Sequence, residues 1–172
     1  EQVIRSAITL KLCSYEDTGA IVAALTTSIP ESADSGRNWD YRYCWLRDAY
    51  FAVAALNRLG ATRTMEGFIR FVLDSVLANN GGGPIAPLFP VAGDGKLEEH
   101  TASALAGYKG MGPVRVGNAA AAQIQNDVYG SIVLTAAQMF WDRRLVSAGD
   151  VSLYEQLKEV GQVAVARAFQ PD

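Results

Sequence analysis

One short stretch of this chain combines large aromatic side chains with paired opposite charges. It covers residues 36–48 and reads GRNWDYRYCWLRD. Its aromatic residues recur at every second position, and they are Trp39, Tyr41, Tyr43 and Trp45. Because successive side chains of an extended strand point to opposite faces, this spacing predicts four rings on one face and Asp40 and Arg42 on the other. Arg47 and Asp48 then open a predicted helix.

Flat rings beside a carboxylate and a guanidinium suit the binding of a sugar. A pyranose ring has apolar C–H faces and a rim of hydroxyls, so a protein can stack an aromatic ring on it and bridge neighbouring hydroxyls with charged groups. The stretch therefore predicts a sugar-binding wall. The same pattern leaves one alternative open, an aromatic strand that enters the core with Arg47 and Asp48 as a local ion pair.

Composition indicates one globular domain or part of one. The 172 residues are 49% hydrophobic and 9% aromatic, and their formal net charge is −3. The longest cationic run is Arg143-Arg144, which argues against a nucleic-acid partner. No apolar run approaches the roughly 20 residues of a membrane span, and the first residues lack the order of a signal peptide. We therefore expect a soluble, cytoplasmic protein without a membrane partner.

The soft metal ligands are few. Cys13 and Cys44 lie far apart in the sequence, and His100 is the single histidine. These residues are too few for a structural zinc site, so the sequence predicts two free thiols in a reducing compartment, and neither a metal nor a cofactor is expected. Cys44 is interpreted as a packed thiol and not as a nucleophile.

Hydrophobic periodicity predicts five helices joined by long, mostly irregular connections. The predicted helices cover residues 3–12, 46–59, 65–77, 126–146 and 152–169, and Ser152 with Glu155 fits a capping box at the start of the last one. The second and fourth helices are apolar on most faces and are therefore predicted to be buried. An alternation of exposed and buried helices is typical of helical hairpins arranged in a ring, and an ordinary helical bundle is the alternative.

Residues 40–48 resemble the D-Y-x-Y-x-W-x-R-D signature of glycoside hydrolase family 15, the glucoamylase family. Residues 18–31 and 114–130 are similar to blocks of its bacterial branch. The resemblance covers nearly the whole chain and implies the N-terminal portion of an all-α, (α/α)6-barrel catalytic domain without an internal boundary. It also implies an enzyme that inverts the anomeric centre while it releases glucose from the end of an α-glucan or splits trehalose.

The resemblance also implies roles for single residues. Arg47 and Asp48 match the pair that holds hydroxyls of the terminal sugar, and Trp45 matches a wall of the same subsite. Tyr41 matches a tyrosine near the catalytic base. A Gln-x-Asp element beside the pocket is matched by Gln125 and Asp127.

The same comparison marks a departure from the fungal members. They carry a tryptophan just before the Gln-x-Asp element, where this chain has Gly117-Asn118. The resemblance therefore does not extend to stacking at more remote subsites. The choice between α-glucan, isomaltose-type and trehalose substrates stays open at this point.

Inversion needs an acid and a base whose carboxyl groups lie roughly 6.5–9.5 Å apart. In the family the acid follows a Trp-Glu motif shortly after the equivalent of Asp172, and the base lies far downstream. We assign no catalytic residue within this chain. The local carboxylate cluster Glu98-Glu99-His100 is interpreted as a solvated loop without a partner.

Two expectations follow for these 172 residues on their own. They should be inactive, and they should self-associate through helix faces that lack neighbours. The alternative function is a helical module that binds carbohydrate, or merely a partner, without chemistry.

Overall fold

Five α-helices dominate the part of the chain that a computed structural model describes, which comprises residues 1–78, 83–93, 95 and 97–171. They are α1 (Gln2–Leu12), α2 (Leu46–Arg58), α3 (Thr62–Phe71), α4 (Asp127–Ala136) and α5 (Val151–Arg167). A π-helical segment, Val72–Leu77, extends α3, and short 3-10 segments cover Ala119–Ala122 and Ala137–Phe140. The mainly helical class is thus confirmed. No helix among these described residues is both long enough and apolar enough to cross a membrane.

Two small strand pairs link the long connections to each other. The expectation of an all-α fold did not include them. Strand β1 (Cys44–Trp45) pairs antiparallel with β2 (Leu88–Phe89), and β3 (His100–Thr101) pairs antiparallel with β4 (Arg115–Val116). Each strand has only two residues, so each pair is a short hydrogen-bonded link between loops that are distant in sequence. Hydrogen bonds between backbones give a long connection a fixed path where it has no helix of its own.

Helices α2 and α4 were predicted to be buried on most faces, but each is buried only in part, since Phe51 on α2 and Leu134 on α4 are 65% and 49% exposed. They pack against each other, α3 packs on α2, and α5 packs on α4. The buried side chains of the two central helices include Val53 and Leu56 on α2 and Val128, Ile132 and Ala136 on α4. Helix α5, in contrast, buries only Leu153 and Leu157 among its described residues. Helix α3 buries five of its ten residues and α2 five of its thirteen, so burial does not divide α2 and α3 into an inner and an outer helix.

The fourth helix is shorter than its sequence predicted. The α-helix ends at Ala136, a single 3-10 segment follows, and residues 141–150 form a loop. This loop is tied to the C-terminal end of α2, since the Asp142 carboxylate accepts a hydrogen bond from Asn57 Nδ2 at 2.9 Å and Arg144 donates to the Asn57 carbonyl at 3.0 Å. These tertiary contacts replace the continuation of the helix.

The ion pair in this loop also favours a charged carboxylate. The Arg144 guanidinium donates hydrogen bonds to both carboxylate oxygens of Asp142, and these bonds hold the pKa of Asp142 well below its usual range. A lowered pKa in the folded state adds stability at neutral pH, which is lost only as the pH falls toward that lowered value.

The start of α5 differs from the predicted capping box. Asp150 is the N-cap, and its carboxylate accepts a hydrogen bond from the Leu153 backbone N–H at 2.8 Å. An aspartate cap satisfies one of the free N–H groups of the first turn just as a serine would. The helix therefore begins one residue earlier than predicted, at Val151.

Helix α1 exposes its apolar stripe. It contacts α2, yet none of its residues is buried, and the exposed side chains are Val3, Ile4, Ile8 and Leu12. The predicted amphipathic helix is therefore present at Gln2–Leu12, but its apolar face is open among the described residues. Self-association through such a face stays a prediction.

Candidate functional site

A cleft of about 400 Å³ lies beside the aromatic stretch. Its lining includes Trp39, Tyr41, Trp45, Arg47 and Asp48 from one segment of the chain. The facing lining includes Glu99, Asn118, Ala119, Ala120 and Gln123. A larger cavity of about 570 Å³ between α1 and α3 contains none of the predicted site residues. The smaller cleft is therefore the candidate site, and its volume falls within the range of roughly 300–1,000 Å³ that is usual for ligand pockets.

The aromatic stretch is held by backbone hydrogen bonds to an earlier segment of the chain. The carbonyls of Trp39, Tyr41 and Tyr43 each accept a hydrogen bond of 2.9 Å, from the N–H groups of Ser28, Ala24 and Ala23 respectively. This pairing explains why the alternating side chains keep a defined orientation. It also holds residues 23–28 against residues 39–43.

The rings do not form the regular row that the spacing predicted. The backbone bends at Tyr43, and the ring centroids of Tyr41 and Trp45 lie 5.8 Å apart with a tilt of 48°. Trp39, Tyr41 and Trp45 line the cleft, whereas Tyr43 does not. The prediction is wrong for Tyr43, because the chain bends there and β1 starts at the next residue, Cys44.

Asp40, on the other face of the stretch, is an internal anchor. Its side chain is 0% exposed and accepts two hydrogen bonds from the Arg42 guanidinium, at 2.9 and 2.8 Å, and one from the Gly117 N–H at 3.2 Å. Asn118 Nδ2 donates to the Asp40 carbonyl at 3.0 Å. These bonds join the two walls of the cleft behind the aromatic rings.

Only glycine fits at position 117, between β4 and the cleft wall. Its φ is +83°, and a Cβ atom at this position would lie 2.0 Å from the carbonyl oxygen of Glu98. Glycine alone tolerates both the left-handed backbone and this close approach. The position sets the course of the chain from β4 to the cleft wall at Asn118.

Arg47 joins the first turns of two helices. Its Nη1 lies 2.9 Å from Asp127 Oδ2 at the start of α4, and its Nη2 lies 3.3 Å from Asp48 Oδ2. The hydrogen bond to Asp127 is the main reason that the pKa of Arg47 is raised. The Arg47 and Asp48 side chains remain 45% and 54% exposed, so both can reach a ligand in the cleft.

The six predicted site residues are brought together to different degrees. Four of them line the cleft, namely Tyr41, Trp45, Arg47 and Asp48. Asp127 reaches the site through Arg47. Gln125 lies one step further away, since its Nε2 donates at 3.0 Å to Oε1 of Gln123, which does line the cleft. The ion pair between Arg47 and Asp48 is real, but it faces the cleft and not the core.

Glu31 is a residue of the site that the sequence analysis did not single out. Its Oε1 accepts hydrogen bonds from Trp39 Nε1 at 3.0 Å and from the Tyr41 hydroxyl at 3.4 Å, and its Oε2 pairs with Arg37 Nε at 2.6 Å. The bond from Arg37 lowers the pKa of Glu31, so this carboxylate is ionised at neutral pH. Burial and the Glu31 charge raise the pKa of Tyr41, which keeps its hydroxyl protonated.

The loop at Glu98-Glu99-His100 was predicted to be solvated and without a partner, and this prediction is wrong for Glu99. Glu98 and His100 are exposed, as a solvated loop requires, but the Glu99 side chain is only 16% exposed and lies 2.9 Å from Arg115 Nη1. The pairing of β3 with β4 places these two residues together, which local sequence patterns do not reveal. Glu99 therefore has a partner and belongs to the cleft.

Burial makes the Cys44 thiol unreactive. The side chain is 0% exposed, and desolvation raises the pKa of its thiol to about 12. A thiol with this pKa carries almost no thiolate at neutral pH, and the thiolate is the reactive form. Cys44 is thus a packed core residue, in agreement with its interpretation from the sequence.

The end of α5 lies at the same side of the molecule as the site. Arg167 Nη1 donates to Asn126 Oδ1 at 3.4 Å, and Asn126 Nδ2 donates to the Gln170 carbonyl at 3.3 Å. Asn126 directly precedes Asp127, the partner of Arg47. The chain at Gln170 is thus held next to the N-terminal end of α4.

The profile described as "Glycosyl hydrolases family 15" matches residues 1–168, and the chain belongs to this family. It is similar to the "Trehalase" of Mycolicibacterium smegmatis and to the "Trehalase" of Mycobacterium tuberculosis, each 45% identical over 130 residues, which are 75% of this chain. "Trehalase 1" of Sulfolobus acidocaldarius is 36% identical over 160 residues, which are 86% of this chain. No solved structure matches.

The chain spans only a part of the relatives that it matches. The matched regions make up 20% of the M. smegmatis protein, 19% of the M. tuberculosis protein and 28% of the S. acidocaldarius protein. The family is therefore established, while the activity and the substrate of the whole protein are matters of proposal.

Proposed function

We propose that the protein hydrolyses trehalose with inversion, and that this chain supplies the subsite for the terminal glucose. The observation that carries the proposal is the pair Arg47 and Asp48, partly exposed in a cleft with the ring of Trp45 beside it. The relatives named above are called trehalases, which favours trehalose over an α-glucan as the substrate.

The geometry suits a glucose ring held at one position. Asp127 fixes one arm of the Arg47 guanidinium, so its remaining N–H groups have a restricted direction in which to donate. Asp48 contributes acceptors, and together they can bridge neighbouring hydroxyls while Trp45 covers a C–H face of the ring. Charged hydrogen bonds of this kind lower the barrier where they strengthen as the sugar takes on oxocarbenium character.

The helical pairs support a proposal for the complete domain. We place α2 and α4 as inner helices of an (α/α)6 barrel and α3 and α5 as their outer partners, since α2 and α4 pack on each other while α3 packs on α2 and α5 on α4. The acid and the base belong to other parts of that domain. A chain continuing beyond Gln170 would start beside Asn126, close to the first turn of α4.

The products formed from α,α-trehalose test this function. Proton NMR of the full-length protein with trehalose should show equal amounts of α- and β-glucose before mutarotation, because inversion converts one of the two α centres. Residues 1–172 alone, as the matched control, should release no glucose. Initial formation of α-glucose alone would contradict inversion, and glucose from maltose but not from trehalose would contradict the choice of substrate.

A further inference from the structure

Two residues of the cleft lining contact different arginine and aspartate partners. The Arg115 guanidinium carbon lies 5.0 Å from the centroid of the Trp39 ring. Arg47 pairs instead with Asp127 at 2.9 Å. Tyr41 and Trp45 stand between Trp39 and Arg47 in the chain, and all four line the cleft. The cleft therefore contains an aromatic residue, Trp39, that is supported independently of the Arg47 pair.

Trp39 is fixed from its edge and from one ring face. Its Nε1 donates to Glu31 at 3.0 Å, and Arg115 lies over the ring at a distance suited to a cation–π contact. Trp39 lines the cleft, whereas Arg115 is absent from the lining. Arg115 therefore covers one face of the Trp39 ring, which leaves the other face for a ligand in the cleft.

Arg115 is held in turn by Glu99. Glu99 Oε1 lies 2.9 Å from Arg115 Nη1, and its Oε2 accepts a hydrogen bond from the Ala119 N–H at 3.3 Å. The two side chains are 16% and 24% exposed, so solvent screens this pair only in part. Each oxygen of Glu99 makes one of these bonds, so Glu99 holds the Arg115 guanidinium next to the backbone of Ala119.

We propose that Trp39 is the stacking platform for the second sugar ring, the leaving group, and that Glu99 and Arg115 are positioning residues for it. The inference rests on the proposed function, because Arg47 and Asp48 are assigned to the first ring. A fixed aromatic face without a free charge binds the C–H face of a neutral sugar well. The platform therefore selects glucosides whose leaving group is itself a pyranose.

The selectivity of the full-length protein tests this inference. The measured quantity is the ratio of kcat/KM for trehalose to kcat/KM for α-glucosyl fluoride, which lacks a second ring. Trp39→Leu should lower this ratio about tenfold, mainly through KM, and Trp39→Phe should recover most of it because a flat face is kept. Trp141→Leu is the matched control, since Trp141 is 60% exposed and lies outside the cleft lining, and it should leave the ratio unchanged.

The positioning residues provide a second and independent variant. Glu99→Gln keeps the shape of the side chain but weakens the hold on Arg115, so the ratio should fall about threefold with little change in Tm. If Trp39→Leu and Glu99→Gln leave the ratio unchanged, or lower both activities equally, the platform is refuted. Wild-type protein that splits glucosyl fluoride but not trehalose would instead overturn trehalose as the substrate. The inference about Trp39 would then be decided by the ratio of kcat/KM for maltose to kcat/KM for α-glucosyl fluoride. Failure with all three substrates would overturn both.

Discussion

Asp48→Asn is expected to lower kcat/KM for trehalose by about 10²–10³-fold in the full-length protein, with Tm within a few degrees of wild type. Asp48 is 54% exposed and its ion pair with Arg47 spans 3.3 Å, so the pair contributes little to folding. The amide keeps the size of the side chain but loses the charge that strengthens hydrogen bonds from sugar hydroxyls in the transition state. Steady-state kinetics and a thermal melt measure the two quantities.

A matched change separates this effect from a general loss of charge. Glu159→Gln alters an exposed carboxylate on α5, away from the cleft, and should leave both kcat/KM and Tm unchanged. Near-normal turnover of Asp48→Asn together with a large loss of stability would show that Arg47 and Asp48 are only a structural ion pair.

Asp40→Ala should cause the largest loss of stability. The carboxylate is fully buried and accepts hydrogen bonds from Arg42 and from the Gly117 N–H, so its removal leaves a buried donor without an acceptor. Breaking a buried pair costs about 3–5 kcal/mol, and the value here should lie near 3 kcal/mol because Arg42 is 46% exposed and can turn toward solvent. The full-length protein should then melt a few degrees lower, because the shift in Tm per kcal/mol falls as the cooperative unit grows.

Thermal and urea unfolding of the full-length variants would measure this loss. Glu159→Ala, which removes an exposed carboxylate, serves as the control and should shift Tm by no more than about 2 °C. A Tm for Asp40→Ala equal to that of the control would mean that Asp40 does not fasten the two walls of the cleft.

Local spacing could predict those parts of the site that lie within one segment. Tyr41, Trp45, Arg47 and Asp48 line the cleft because the chain passes directly from a short extended run into α2. Glu99 reaches Arg115 only through the pairing of β3 and β4. Strand pairs of two residues leave no periodic signal in a sequence. The supporting residues Glu99 and Arg115 were therefore missed, while four residues predicted from one segment do line the cleft.

The same limit applies to the helices. The apolar composition of α2 and α4 predicted burial on most faces, but each helix is buried only in part, since Phe51 and Leu134 are 65% and 49% exposed. The end of α4 at Ala136 depends instead on contacts between the following loop and Asn57, which lies some 80 positions earlier in the chain. Helix ends that are set by tertiary contacts cannot be derived from local patterns.

The most direct test of the account is a crystal structure of the full-length protein with an unreactive glucose analogue such as 1-deoxynojirimycin. We expect one ring in the cleft, with hydroxyls within about 2.6–3.2 Å of the Asp48 carboxylate and the Arg47 guanidinium, and with a C–H face against Trp45. A ring bound elsewhere, or one held in the cleft without contact to Arg47 or Asp48, would contradict the assignment of this chain to the terminal-glucose subsite.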